Sequence, residues 1–141
     1  LLRLIASFCG VFGFSVMFNS PARLATMAAL IGAVANTLRL ELVDLAGMPP
    51  AVAAFIGALT AGIFASLIKN KAGYPRISLT VPSIVIMVPG LYLYRGIYNL
   101  GMMSLSVAAS WFAAAILIIA ALPLGLIFAR ILTDRTFRYC T

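Results

Sequence analysis

Polar residues are scarce along this chain and fall in clusters, leaving five apolar blocks between them. The first runs from about Leu1 to Phe18 and stops at Asn19-Ser20-Pro21, a strong turn signal. The second covers about Leu24 to Val43, carries Asn36, Arg39 and Glu41 in its latter half, and ends ahead of Gly47-Met48-Pro49-Pro50. The third, about Ala51 to Ile68, is rich in small residues. Gly57 and Ala61 share one helical face and Ala58 and Gly62 another, the spacing by which membrane helices reach close backbone contact. A polar loop, Lys69 to Arg76, leads into the fourth block, about Ile77 to Tyr98, which Pro82 and Pro89-Gly90 interrupt. The fifth, about Leu105 to Ile131, holds Trp111 near its start and Pro123 within, and the tail Thr133 to Thr141 is polar and basic. A spanning helix needs about 20 apolar residues. The blocks therefore predict one all-α domain over 1–141, a polytopic membrane bundle of about five transmembrane helices. The fourth helix is expected to break at Pro89-Gly90.

Composition rules out the soluble alternative. Hydrophobic residues make up 64% of the 141 and charged residues 9%, against about 25% charged in an average soluble domain. A chain this small leaves much of its surface exposed, so the solvent facing that surface must be lipid. The opening block could be read as a signal-peptide core. It lacks the small-residue cleavage pattern and four more apolar blocks follow, so it is taken as the first helix. The sequence starts without an initiator Met, which leads us to expect a short preceding segment.

The net charge of +7 changes the picture only in where it falls. With five spans, Arg23, Lys69, Lys71, Arg76, Arg130, Arg135 and Arg138 lie on one side, and Arg3, Arg39 and Arg95 on the other with Glu41 and Asp44. The positive-inside rule then places the C-terminus in the cytoplasm and the N-terminus outside. No aromatic-plus-basic surface stands outside the membrane to bind nucleic acid. Cys9 and Cys140 form neither a disulfide framework nor a metal site, there is no His, and no cofactor is expected. The carboxylates are Glu41, Asp44 and Asp134, and no Ser or Cys has an evident base partner, so an enzyme is not expected.

Three features could carry function. Proline removes a backbone donor and clashes with the preceding turn, so Pro89-Gly90 should free carbonyls near mid-bilayer. Those carbonyls need another helix, water or a ligand. Broken helices at that depth are where many transporters bind substrate, although a packing kink would look the same. Arg39, with Asn36 three residues earlier on the same face, offers a cation and an amide, a plausible grip for a carboxylate. Alternatively Arg39 snorkels to the outer surface, near enough to pair with Glu41 or Asp44. Tyr92, Tyr94, Tyr98 and Trp111 read as an interfacial belt, with Tyr94, four residues past Gly90, the best candidate to line a cavity.

Phe18-Asn19-Ser20-Pro21-Ala22-Arg23, then Gly32 and Arg39 at their spacings, then Val88-Pro89-Gly90 with Tyr94, resemble the threonine/serine exporter family. The closer likeness is to its small-subunit type, which matches the second half of the fused members. Arg95 falls outside the shared pattern. The resemblance implies a secondary transporter subunit in a bacterial inner (plasma) membrane, exporting threonine and serine or a dicarboxylate such as succinate. It also implies a larger homologous membrane subunit as partner, with opposed orientations of the two halves, and leaves room for a higher-order oligomer. Pro89, Gly90, Tyr94, Arg39 and Asn36 would then contact the solute. The other reading is a non-transporting assembly or stabilising subunit. No carboxylate lies deep in a span, so a proton-coupling residue is expected in the partner.

Overall fold

The computed structural model describes residues 1–134, and of 70–72 only the backbone. Arg135, Arg138 and Cys140, and the side chain of Lys71, therefore lie outside the described residues. Every regular element described is helical: α1 (Leu2–Met17), α2 (Ala22–Asp44), α3 (Pro50–Ala72), α4 (Arg76–Val85), α5 (Gly90–Gly101) and α6 (Leu105–Thr133). By length and composition α2, α3, α4 and α5 taken together, and α6 are fit to cross a membrane. At about 1.5 Å per residue the 16 residues of α1 rise about 24 Å, short of the roughly 30 Å hydrocarbon core.

The helix ends follow from local chemistry. α3 opens with Pro50, whose missing N–H would be unbonded there in any case. It runs a turn past Ile68 and stops at Gly73, whose φ of +70° a glycine adopts without steric cost and whose N–H bonds Lys69 O at 3.1 Å. Pro82 sits inside α4 and Pro123 inside α6, and both helices continue through them. Pro89 behaves differently. Its lost N–H and the restriction it places on Val88 end α4 at Val85, so the break occupies Ile86 to Pro89 and Gly90 is already the first residue of α5. Within the break Met87 N bonds Ile84 O, Val88 N bonds Val85 O and Gly90 N bonds Val88 O.

The packing is inside-out relative to a soluble protein. Buried hydrophobic positions are mostly alanine, including Ala25, Ala28, Ala54, Ala58, Ala61, Ala115 and Ala129, while Leu30, Leu67, Ile116, Leu117 and Leu132 are exposed. In lipid no hydrophobic drive separates these classes, and small residues are selected where backbones must approach. α3 and α6 show this most fully. Gly125 faces Ala58, Gly62 faces Ala129, and Thr133 Oγ1 lies 3.0 Å from Ser66 Oγ. Each step is four residues on both helices, so the two run parallel as a zipper of small side chains. The α4–α5 span returns the chain between them.

Two ion-pair groups mark opposite ends of the bundle. Arg3 reaches Asp44 at 2.6 Å and Glu41 at 3.7 Å, joining the start of α1 to the end of α2. At the other end Lys69 Nζ lies 2.8 Å from Asp134 Oδ1, and Arg76 and Arg130 stand 3.7 and 3.9 Å from Oδ2. The hydrogen bond from Lys69, then the charges of Lys69, Arg76 and Arg130, hold the Asp134 carboxyl below the usual carboxylate range against the opposing effect of burial. A depressed native pKa means the unfolded chain takes up protons first. The clasp should therefore stabilise fully above about pH 3.9, the ordinary Asp value, and be lost as pH falls from there through the native one. Unfolding midpoints of the wild type and Asp134→Asn should differ near neutral pH and converge in acid. A gap that stays constant with pH would show that the carboxylate contributes nothing as a charge.

Candidate functional site

Met87 is the centre of the break. In a continuous helix its carbonyl would accept from Leu91, four residues on. With the span interrupted, that carbonyl accepts instead from Arg39 Nη1 at 2.9 Å, a bond reaching 48 residues back along the chain. A freed carbonyl inside a bilayer has to be satisfied by protein, water or ligand, and here a guanidinium from α2 does so. Gly57 makes the approach possible. A Cβ there would meet Ala35 O and Arg39 Cβ at 3.2 Å and Met87 Sδ at 3.3 Å, so a larger residue would press α3 against both partners.

Beside this contact lies a cleft of about 240 Å³, lined by Arg39, Leu40, Val43, Asp44, Pro50, Val88, Pro89, Leu91, Tyr92 and Ile118. Asp44 and Pro50 belong to the helix ends, and Ile118 stands near the middle of α6. The cleft thus runs from one end of the bundle to mid-span. It is smaller than the roughly 300–1,000 Å³ of drug-sized sites, a size suited to a small solute. Its lining is mostly apolar, with Arg39, Tyr92 and, at the mouth, Asp44 as the polar side chains. Arg39 has a second polar atom, Nε, buried with no hydrogen-bond partner. Among the described residues Glu41 and Asp44 pair with Arg3 and form no ion pair with Arg39.

The five residues proposed from sequence separate in space. Arg39 and Pro89 line the cleft together. Asn36 is 5% exposed and points elsewhere, its Nδ2 donating to Ser7 Oγ at 2.8 Å across the α1–α2 contact, with Oδ1 left unpartnered. Gly90 is exposed, with open space where a Cβ would stand. Tyr94 is 65% exposed and stacks on Tyr98 at 6.4 Å, away from the cleft. Tyr92 occupies the wall instead, its ring 5.5 Å from Trp111, over which Arg95 lies at 4.9 Å. The signal that would have found it is spacing: Tyr92 is three residues from Pro89, and Leu91 three from Val88. The cleft-facing stripe of α5 is set by the two residues before Gly90 and not by Gly90 itself.

The sequence model of the family described as "Threonine/Serine exporter, ThrE" matches residues 3–132. The chain belongs to the threonine/serine exporter family. The match takes in all the helices save Leu2 and Thr133, so the Arg39–Met87 contact and the cleft beside it lie within the family domain. Neither a curated protein nor a solved structure matches the chain. Family and apolar helices together make this exporter-family chain a multi-pass membrane protein, and point to transport and not to enzymatic catalysis.

Proposed function

We propose that the chain is the smaller subunit of a two-component exporter, moving small carboxylate-bearing solutes along a path that it forms with a larger homologous partner. The observation that carries this reading is the Arg39–Met87 contact at the broken span, opening onto a cleft of solute size. A guanidinium binds a carboxylate more strongly than a neutral carbonyl, through paired charge-assisted bonds. An arriving carboxylate therefore competes with Met87 O for Arg39. Exchange frees the carbonyl and loosens the joint between α4 and α5, so binding of solute and motion of the span are one event. Tyr92 and Pro89 form the wall against which the solute rests. Threonine, serine and succinate all carry the required group, and the partner supplies the second half of the path and any proton-coupling carboxylate.

The same contact favours one other reading. A guanidinium already engaged with Met87 O is what a purely structural cap would show, and a subunit that only stabilises its partner would need nothing more. The two separate in one experiment. Cells preloaded with threonine or succinate are followed for efflux with this chain alone, with the larger subunit alone, and with both. Export that requires both subunits, and that Arg39→Gln lowers in a complex of normal abundance, is the expected result. Export that requires both subunits but is unchanged by Arg39→Gln in an assembled complex would leave the stabilising role.

A further inference from the structure

At the bundle end opposite Arg3 a second and larger cleft opens, about 490 Å³, between the end of α3, the start of α4 and the end of α6. Its lining divides by chemistry. Ile77, Leu126, Ile127 and Pro75 form an apolar wall, and Lys69, Arg76 and Arg130 stand above it with the single carboxylate of Asp134. Among the described residues the local balance is three cations to one anion. Asp134 is already shared among all three, by one close contact and two at 3.7 and 3.9 Å. Arg76 has a side chain only 15% exposed, and its Nη2 is buried with no hydrogen-bond partner. A cation so enclosed, with an unsatisfied donor beside an open cleft, is short of an acceptor.

Depth indicates what could supply it. The 29 residues of α6 rise about 43 Å, some 13 Å more than the hydrocarbon core. An end of α6 must then emerge, and the charges of Lys69, Arg76, Arg130 and Asp134 at this end favour headgroup level for its last turn, with Leu126 and Ile127 one turn deeper. We propose that this cleft binds the phosphate of an anionic membrane phospholipid, with Arg76, Lys69 and Arg130 on the phosphate and Ile77, Leu126 and Ile127 along the first methylenes of a chain. Phosphate oxygens match the bidentate fork of arginine. A free inorganic phosphate would use the same cations and leave the apolar wall empty. The site is distinct from the Arg39 cleft, and nothing in it depends on the transport reading.

The test is native mass spectrometry of the full chain, in detergent, titrated with phosphatidylglycerol, phosphatidylcholine or inorganic phosphate. Phosphatidylglycerol should bind more tightly than phosphatidylcholine. Arg76→Gln and Arg130→Gln should each weaken it about fivefold, in line with the contribution of one cation near an anionic headgroup. Arg23→Gln, an exposed cation at the α1–α2 turn outside the cleft, should leave it unchanged. Asp134→Asn should tighten phosphatidylglycerol binding several-fold, a gain that misfolding cannot mimic. Equal binding of the two lipids, or an Arg23→Gln effect as large as that of Arg76→Gln, would overturn the proposal. So would inorganic phosphate binding with the same residue dependence while phosphatidylglycerol shows none.

Discussion

Arg39→Gln should reduce solute efflux by about thirtyfold or more while leaving insertion and assembly intact. Truncating one partner of a desolvated charge pair costs at least about 2 kcal/mol, and each 1.4 kcal/mol is tenfold. Glutamine is the informative choice because it removes the charge but keeps a polar N–H about where Nε stands, and the abundance of the complex then reports whether loss of the Met87 bond has cost assembly. Arg39→Lys reverses this: it retains the cation but presents a point charge on a flexible stem in place of a planar fork. Its efflux should fall between those of the wild type and Arg39→Gln. Arg39→Leu removes cap and charge together and should lower both efflux and the yield of assembled complex. If Arg39→Gln exports like the wild type from a complex of normal abundance, the charge has no part in transport and Arg39 is a cap alone.

Gly125→Ala should lower the thermal unfolding midpoint of the purified chain by more than any other single added methyl group. Its new Cβ would stand 2.6 Å from Phe55 O, 2.8 Å from Ala58 Cβ and 3.0 Å from Leu59 N. Two of those atoms belong to the α3 backbone, which cannot rotate aside as a side chain can. Overpacking ordinarily costs about 1–3 kcal/mol, and a backbone obstacle sets this case at the upper end. Gly62→Ala supplies the comparison, since its new methyl meets the Ala129 Cβ at 2.6 Å and Arg76 Nη2 at 3.3 Å. Adding Ala129→Gly should restore stability to Gly62→Ala, whereas adding Ala58→Gly should fail to rescue Gly125→Ala because Phe55 O remains. Gly13→Ala, with nothing within 4 Å, should be neutral or slightly stabilising through helix propensity. A Gly125→Ala protein that melts with the wild type would mean that α3 and α6 do not meet at this distance.

The spans were legible in the sequence because turn residues announced their ends. Asn19-Ser20-Pro21 and Gly47-Met48-Pro49-Pro50 separate helices where expected, and the fourth span is interrupted at Pro89. Helices continue through Pro82 and Pro123, which a sequence cannot distinguish from Pro89, because the outcome depends on what the neighbouring helices offer. Ser83, next to Pro82, is fully buried, its hydroxyl 3.0 Å from Ala28 O, and anchors that stretch of α4 to α2. Small-residue faces on α3 were visible, but not their assignment: Gly57 serves the α2–Met87 contact and Gly62 the α6 zipper.

The site was less legible for the same reason. Arg39 and Pro89 stood out as costly residues within apolar blocks, and they line one cleft. Asn36 stood out equally, yet its amide is taken by Ser7, a residue with no distinctive feature in the sequence. Tyr92 and Tyr94 differ only in which face of a 12-residue helix they occupy, and that face is fixed by the angle at the break. The pairings of Arg3 with Asp44 and of Lys69 with Asp134 join residues far apart in the chain, and no local rule links them.

The bond between Arg39 and Met87 also bears on how the protein is made. Its donor leaves the ribosome 48 residues before its acceptor, and α2 has the lowest mean hydropathy of the candidate spans, 1.3. A lone arginine within a span opposes insertion by up to about 3 kcal/mol, less towards the helix end. During synthesis α2 is therefore complete before the carbonyl that Arg39 bonds has been made. The contact is a delayed closure, in which an early helix is tied to a late one.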